Sequence, residues 1–334
     1  RVGQKGAESR VWVGEDALMM ADATHHGDGG DVLVWSDSNT GFYGQISSRG
    51  GQYGGDGGFV EVSGKENLWF GGTVNTSAEL GEYGHLLLDP HDITITENTD
   101  ASVVLNATDF DAFDDTPLAD ATMTNASLNA ALNNGNVSLL ANNDIHINGD
   151  INGTNGHNLI LTAGGSIDLL SGKSVSTSGG NIQLTAGDAG GSPDGGNGRA
   201  ITLNTGSDMS AGGGEIHLTA VGNITVTQLQ STNNGNAVNL TSSGGAILDG
   251  GDVSTDVLAS SGTLVIDAIS GINLDIQVAS LDAENSTSGV ITLNETDSVS
   301  VNKLSNASAG NIELLAGGDV GIANGSQIVL ANAS

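Results

Sequence analysis

The sequence predicts an all-β protein: a right-handed parallel β-helix, a three-faced solenoid, with one short helix near residues 126–133. Three observations predict it. Apolar residues recur at i, i+2, i+8 and i+10, as in Val137, Leu139, Ile145, Ile147 and again in Leu159, Leu161, Ile167, Leu169. Gly, Asn, Asp, Ser and Thr fill the gaps between the pairs. A third apolar position follows in each unit, at Ile151, Val175, Leu229, Val278, Leu304 and Ile328. A step of two marks a strand with one buried face, and a short polar gap marks a turn. Three short strands repeated at a nearly constant period describe stacked coils that bury surface against their neighbours. The crossover rule for parallel strands sets the right hand.

Residues 1–95 are expected to form N-terminal coils with a glycine-rich repeat. Gly27-Asp28-Gly29-Gly30 returns 28 residues later as Gly55-Asp56-Gly57-Gly58. The same shift carries Val32 to Val60, Val34 to Val62, Phe42 to Phe70, Gly44 to Gly72 and Ile46 to Val74. Val60, Val62, Leu68 and Phe70 also fit the general frame, and Val11, Val13, Met19 and Ala21 fit it loosely. Coils are therefore expected from about residue 10. Pro90 cannot donate to a ladder, so it is placed at a corner between Leu86/Leu88 and Ile93/Ile95.

Residues 96–136 read as an irregular insertion. It ends in a helix with Leu128 and Leu132 on one side and Gly135 as its C-cap, expected to cover an edge or fill a gap between two stacks of coils. Residues 137–334 read as regular coils starting at 137, 159, 182, 201, 216, 238, 264, 291 and 312, a mean of about 22 residues. The coil at Ile182 and Leu184 is expected to lose its second strand to an excursion loop over 187–198. Inward rows of aliphatic side chains and outward Thr162, Gln183, Thr219 and Thr292 complete the picture.

Composition limits the function. The net charge of −31, with eight Lys and Arg in 334 residues, leaves no basic groove for nucleic acid. Anionic membrane surfaces repel such a chain, while a salty exterior screens its self-repulsion. Cysteine is absent, which excludes a disulfide scaffold and a Cys-ligated metal. No apolar run approaches the ~20 residues of a membrane helix. The chain opens on Arg1 and closes on Ala331-Asn-Ala-Ser334 without an evident cap, so it is expected to be part of a longer protein.

Candidate chemistry is sparse. Asp109, Asp111, Asp114 and Asp115 gather enough carboxylates to suggest Ca²⁺ as a possible cofactor. The stretch lacks the Gly and terminal Glu of an EF-hand, and a solvated loop is the competing reading. Gly54-Gly-Asp-Gly-Gly58 reads as corner turns, not as a cation-binding nonapeptide. His25 and His26 are adjacent, which in a strand points them to opposite faces. His85 and His91 are expected to pack at the Pro90 corner. No catalytic residue is assigned: the eight Lys and Arg are scattered, and paired carboxylates beside a base are not evident.

With these motifs in hand, the chain resembles the filamentous haemagglutinin and high-molecular-weight adhesin family of two-partner secretion exoproteins. The resembling residues are Gly55-Asp-Gly-Gly-Phe-Val-Glu-Val-Ser-Gly64, Gly84-His-Leu-Leu-Leu-Asp-Pro90 and Asp92-Ile-Thr-Ile95. Leu128-Asn-Ala-Ala-Leu-Asn-Asn-Gly-Asn-Val-Ser-Leu139 and Ile145-His-Ile-Asn-Gly-Asp-Ile151 fit as well. The resemblance spans about residues 27–170. The Asn-Pro-Asn signatures of the family's secretion domain are absent from the sequence.

The resemblance implies a right-handed β-helix, secretion to the surface of a Gram-negative bacterium through an outer-membrane transporter, and adhesion to glycans or proteins of host or neighbouring cells. The expected function is thus a non-catalytic stalk or adhesive segment. A subunit of an extracellular filament or matrix that self-associates end to end is the first alternative. A β-helical polysaccharide-degrading enzyme is the second.

Overall fold

The computed structural model describes residues 2–4, 9–97, 121–187, 198–307 and 310–330. The described residues hold parallel strands and one helix, Asn125–Leu132. They group into two compact units, one running to Thr162 and one from Ala163 on. Each is a parallel β-helix, as the aliphatic spacing predicts.

In the first unit one coil is one turn of the glycine-marked repeat. Val32 pairs with Val60 and Val34 with Val62 on the first face; Phe42 pairs with Phe70 on the second; Ile46 pairs with Val74 on the third. Stacking identical positions builds continuous inward rows. Val34, Val62, Leu88 and Leu139 make one, and Val13, Phe42, Phe70, Met123, Ile95 and Ile147 make another. All of these side chains are buried, and each contributes about 1.5–3 kcal/mol by leaving water. The Phe42 and Phe70 rings stack at 5.6 Å. Buried Asn39 and Asn67 form a matching polar rung, Nδ2 of Asn67 donating to Oδ1 of Asn39 at 2.8 Å.

The coils start earlier than expected. Val2–Gln4 already pairs with the first-face strand Val32–Ser36, and Val11–Val13 lies on the second face beside Asn39–Phe42. Val11 and Val13 therefore do not open a coil, and Met19 belongs to the third face, opposite Ile46.

The stretch expected to be irregular carries a strand. Ala121–Thr124 lies between Asn67–Phe70 and Ile93–Thr96, pairing with both, so spatial order departs from chain order. The helix follows at once. It occupies the third face, packed against Thr73–Asn75 and Ile151–Asn152, and buries Leu128, Ala131 and Leu132. It stands in for a third-face strand within the first unit, and does not fill a gap between two stacks of coils. Thr124 caps its start by accepting the Ser127 N–H. Its C-cap is Asn133, not Gly135. Gly135 serves a different purpose: it lets the chain pass close to Thr76, whose Oγ1 a Cβ there would overlap. Pro90 does sit between the strands His85–Leu88 and Ile93–Thr96.

The second unit stacks three aliphatic rows. Ile182, Ile216, Val238, Leu264 and Leu281 form the first. Ile167, Ile201, Ile224, Ile247, Ile272, Ile291 and Ile312 form the second. Val175, Met209, Leu229, Val257 and Ile276 form the third. Apart from Ile312, every member is at most 1% exposed.

These rows correct the expected coil starts. Ile201, Ile291 and Ile312 stand on the second face and open no coil. The coil at Ile182 keeps its second strand, Ile201–Leu203, placed after the 188–197 segment that lies outside the described residues. Leu304 and Ile328, expected on the third face, pair in line with Ala283 on the first.

The cause is a vanished corner. In Val257–Ala268 the strand runs unbroken from the third face of one coil into the first of the next, and Ile272–Asn285 runs from the second face through the third into the first. The same two-and-eight spacing then fits a different pair of faces.

Candidate binding cleft

The glycine-marked repeat builds a cleft of about 520 Å³ on the first unit, where three successive coils leave the third face. After the strands Leu18–Met20, Gln45–Ser47 and Thr73–Asn75 the ladder continues without strand geometry. Ala21 N–H donates to Ser47 O and Ala23 N–H to Arg49 O; Ser48 N–H donates to Asn75 O and Gly50 N–H to Ser77 O. These rungs hold Asp22, Arg49 and Ser77 along one wall.

Arg49 donates to Asp22 through Nε at 3.2 Å and Nη2 at 2.9 Å. Ser47 Oγ and the Arg49 backbone N–H complete the carboxylate's shell at 2.6 and 2.8 Å. Partial burial opposes ionisation of Asp22, but the Arg49, Ser47 and backbone donors outweigh it and hold the carboxyl below its ordinary range. The hydrogen bond to Asp22 in turn raises the Arg49 guanidinium.

The other walls are Gln52, Glu79 and Tyr83. Gln52 and Glu79 are exposed, and among the described residues their side chains have no hydrogen-bond or ion-pair partner. The Tyr83 ring leans on His157 at 4.2 Å, and His157 is itself tied through Nδ1 to Leu132 O at 2.8 Å. Tyr53, beside Gln52, contacts both His25 and His26 at 6.3 and 5.5 Å between ring centres. The two histidines lie in a bend, not a strand, so their expected opposite orientation does not hold.

The Gly-Asp-Gly-Gly motifs form corners, as read from the sequence. Asp28 Oδ1 accepts the Asp56 N–H, and Asp56 Oδ1 accepts the Glu82 N–H, both at 2.8 Å. Gly55 has φ of +129°, and a Cβ there would overlap the Gly27 carbonyl oxygen. His85 and His91 flank the Pro90 corner: His85 bonds Ser138 Oγ and stacks on Phe59, and burial lowers its pKa. His91 bonds Asp92.

Asp109, Asp111, Asp114 and Asp115, the Ca²⁺ candidates, lie outside the described residues. Among the described residues no group of three or more His, Asp or Glu side chains is arranged to hold a metal ion. No protein-family model and no curated protein matches the chain. No described helix is long and apolar enough to cross a membrane.

The second unit holds a separate polar anomaly that the sequence did not mark. Asp256 is fully buried; its Oδ2 accepts the Asp275 N–H at 2.7 Å, while its Oδ1 has no partner. Burial and the neighbouring Asp249, Asp275 and Asp252 push its pKa up to about 8. Two coils further, Glu295 is pushed to about 7, chiefly by burial.

Sequence reasoning missed the cleft residues because the apolar frame carries no information about corners. A usable signal exists in retrospect: under the 28-residue repeat, Arg49 and Ser77 occupy the same coil position. Arg49 is also one of only eight basic residues in the chain.

Proposed function

We propose that the chain is a non-catalytic, adhesive β-helical segment of a secreted bacterial surface protein, exported through an outer-membrane transporter. The observation that carries this reading is the cleft's chemistry. Asp22 is held ionised by three donors, whereas a general acid needs a carboxyl raised toward the working pH. Gln52, Glu79 and Tyr83 instead offer exposed groups suited to recognition. The family resemblance at Gly55–Gly64 and Gly84–Pro90 supports it, since those residues form the corner and first-face strands next to the cleft.

The test is direct. Beads coated with the purified chain are presented to epithelial cells and to other bacteria, with beads carrying a heat-unfolded sample as control. Saturable adhesion by the folded chain alone supports the reading. Product release from acidic polysaccharides without adhesion would replace it with an enzyme. Chelator-sensitive filaments without adhesion would favour a matrix subunit.

A further inference from the structure

We propose that the cleft between Asp22 and Tyr83 binds a neutral saccharide. The inference rests on the adhesive reading and gives it a site and a ligand class. The cleft volume falls within the roughly 300–1,000 Å³ typical of small-ligand sites.

Its chemistry matches a pyranose. A sugar ring presents an apolar C–H face and a girdle of hydroxyls. Tyr83 supplies a flat apolar ring, and its contact with the anchored His157 fixes that ring before any ligand arrives. Preorganisation of this kind lowers the ordering cost of binding. Glu79 and Gln52 are planar side chains without internal partners, each able to bond two adjacent hydroxyls. The Asp22 bonds hold Arg49 in place through Nε and Nη2, and neither bond uses Nη1.

Charge selects within the class. Asp22 and Arg49 neutralise each other, which leaves Glu79 as the uncompensated charge among the cleft-lining groups. The chain carries a net −31. Sialylated, sulfated or uronate sugars would bring a like charge into that field. A neutral sugar meets no such opposition.

The experiment titrates the full chain with lactose and chitobiose as neutral probes and with 6′-sialyllactose as the anionic counterpart, following chemical shifts or heat. The variants are Tyr83→Ala, Tyr83→Phe and Glu79→Gln, each checked for an unchanged circular-dichroism spectrum. The expected result is saturable binding of a neutral probe, at least tenfold weaker in Tyr83→Ala and retained in Tyr83→Phe. Glu79→Gln should narrow the preference for neutral over sialylated probe.

No saturable binding of either neutral probe overturns the proposal, as does binding indifferent to Tyr83→Ala or tighter for 6′-sialyllactose. Cell adhesion separates the two readings. Adhesion that survives Tyr83→Ala leaves the adhesive function standing and removes this site. Sugar binding without adhesion does the reverse.

Discussion

Between Val32 and Val74 the first unit repeats at a fixed step, with Asn39 and Asn67 in contact 28 residues apart. The second unit passes from Ile182 to Ile216, Val238, Leu264 and Leu281 at steps that never settle. Both units bury the same kind of aliphatic row, so the rows do not set the period. The corners do. In the first unit one corner is pinned by a carboxylate from the coil before it, Asp28 to the Asp56 N–H and Asp56 to the Glu82 N–H. The first bond spans 28 residues and the second 26, and the same carboxylate position meets the next coil's N–H in both. In the second unit bulges interrupt the register between Ser210 and Gly212, Asn236 and Val238, and Ala259 and Thr263. A bulge absorbs an extra residue without moving the rows.

The largest effect expected from this contrast is at a pinned corner. Gly55→Ala combines a left-handed backbone with overlap of the Gly27 carbonyl, and should cost about 4 kcal/mol or more. Gly251→Ala in the second unit has a similar left-handed φ, +84°, but open space around it. It should cost only about 1–2 kcal/mol, the strain alone. Urea unfolding followed by circular dichroism measures both. Equal losses would show that the first unit's corners are no tighter than the second's.

The same difference explains what could be read from the sequence. The parallel β-helix was legible because Val, Ile and Leu at alternate positions have one explanation when they recur for many coils. The 28-residue register was legible because the Gly-Asp-Gly-Gly corner and its flanking apolar residues repeat with it. The phase of the second unit was not. Ile291, Leu293, Val299 and Val301 carry the same spacing as Val137, Leu139, Ile145 and Ile147 but open on a different face. Spacing is cyclic and holds no origin once a corner disappears. The strand Ala121–Thr124 was hidden for another reason: its neighbours Ile93–Thr96 and Asn67–Phe70 are set by tertiary pairing that local pattern does not encode.

A second way to sharpen the comparison is pH, because the largest upward carboxylate shifts, at Asp256 and Glu295, lie in the second unit, whereas the first unit holds both the lowered Asp22 and an Asp89 raised by burial. Asp22 is lowered in the folded first unit. Its contribution is present above the ordinary Asp range and is lost as pH falls through the folded value. Asp256 and Glu295 are raised to about 8 and about 7 in the folded second unit. Between the ordinary carboxylate range and those values the folded unit binds more protons than the unfolded chain. Their contribution is therefore full below about pH 4 and is lost as pH climbs through 7 to 8. Hydrogen exchange read by mass spectrometry should show the second unit loosening near Asp256 and Glu295 from pH 6 to pH 9, while the Asp22 corner is unchanged there. Asp256→Asn keeps an acceptor for the Asp275 N–H and removes the buried charge. It should flatten that loss and raise the thermal midpoint at pH 9 by a few °C, the shift that ~1–2 kcal/mol produces in a unit of this size. An unaltered pH profile in Asp256→Asn would remove Asp256 as its source.

The smallest effect expected is at the surface ion pairs, where the units should behave alike. Lys303 Nζ donates to Glu284, and that bond raises the lysine pKa. Both side chains remain about a third exposed, at 35% and 36%. Water and salt screen such a pair, so Lys303→Ala should change stability by no more than about 1 kcal/mol, and by less at high salt. Arg49→Ala should behave similarly, because Asp22 keeps its bonds from Ser47 and from the backbone N–H of residue 49. A loss well beyond that size in Arg49→Ala alone would mean that the Asp22–Arg49 pair helps hold the first unit's coil spacing. The pinning would then extend from the Asp28 and Asp56 corners to the wall of the cleft itself.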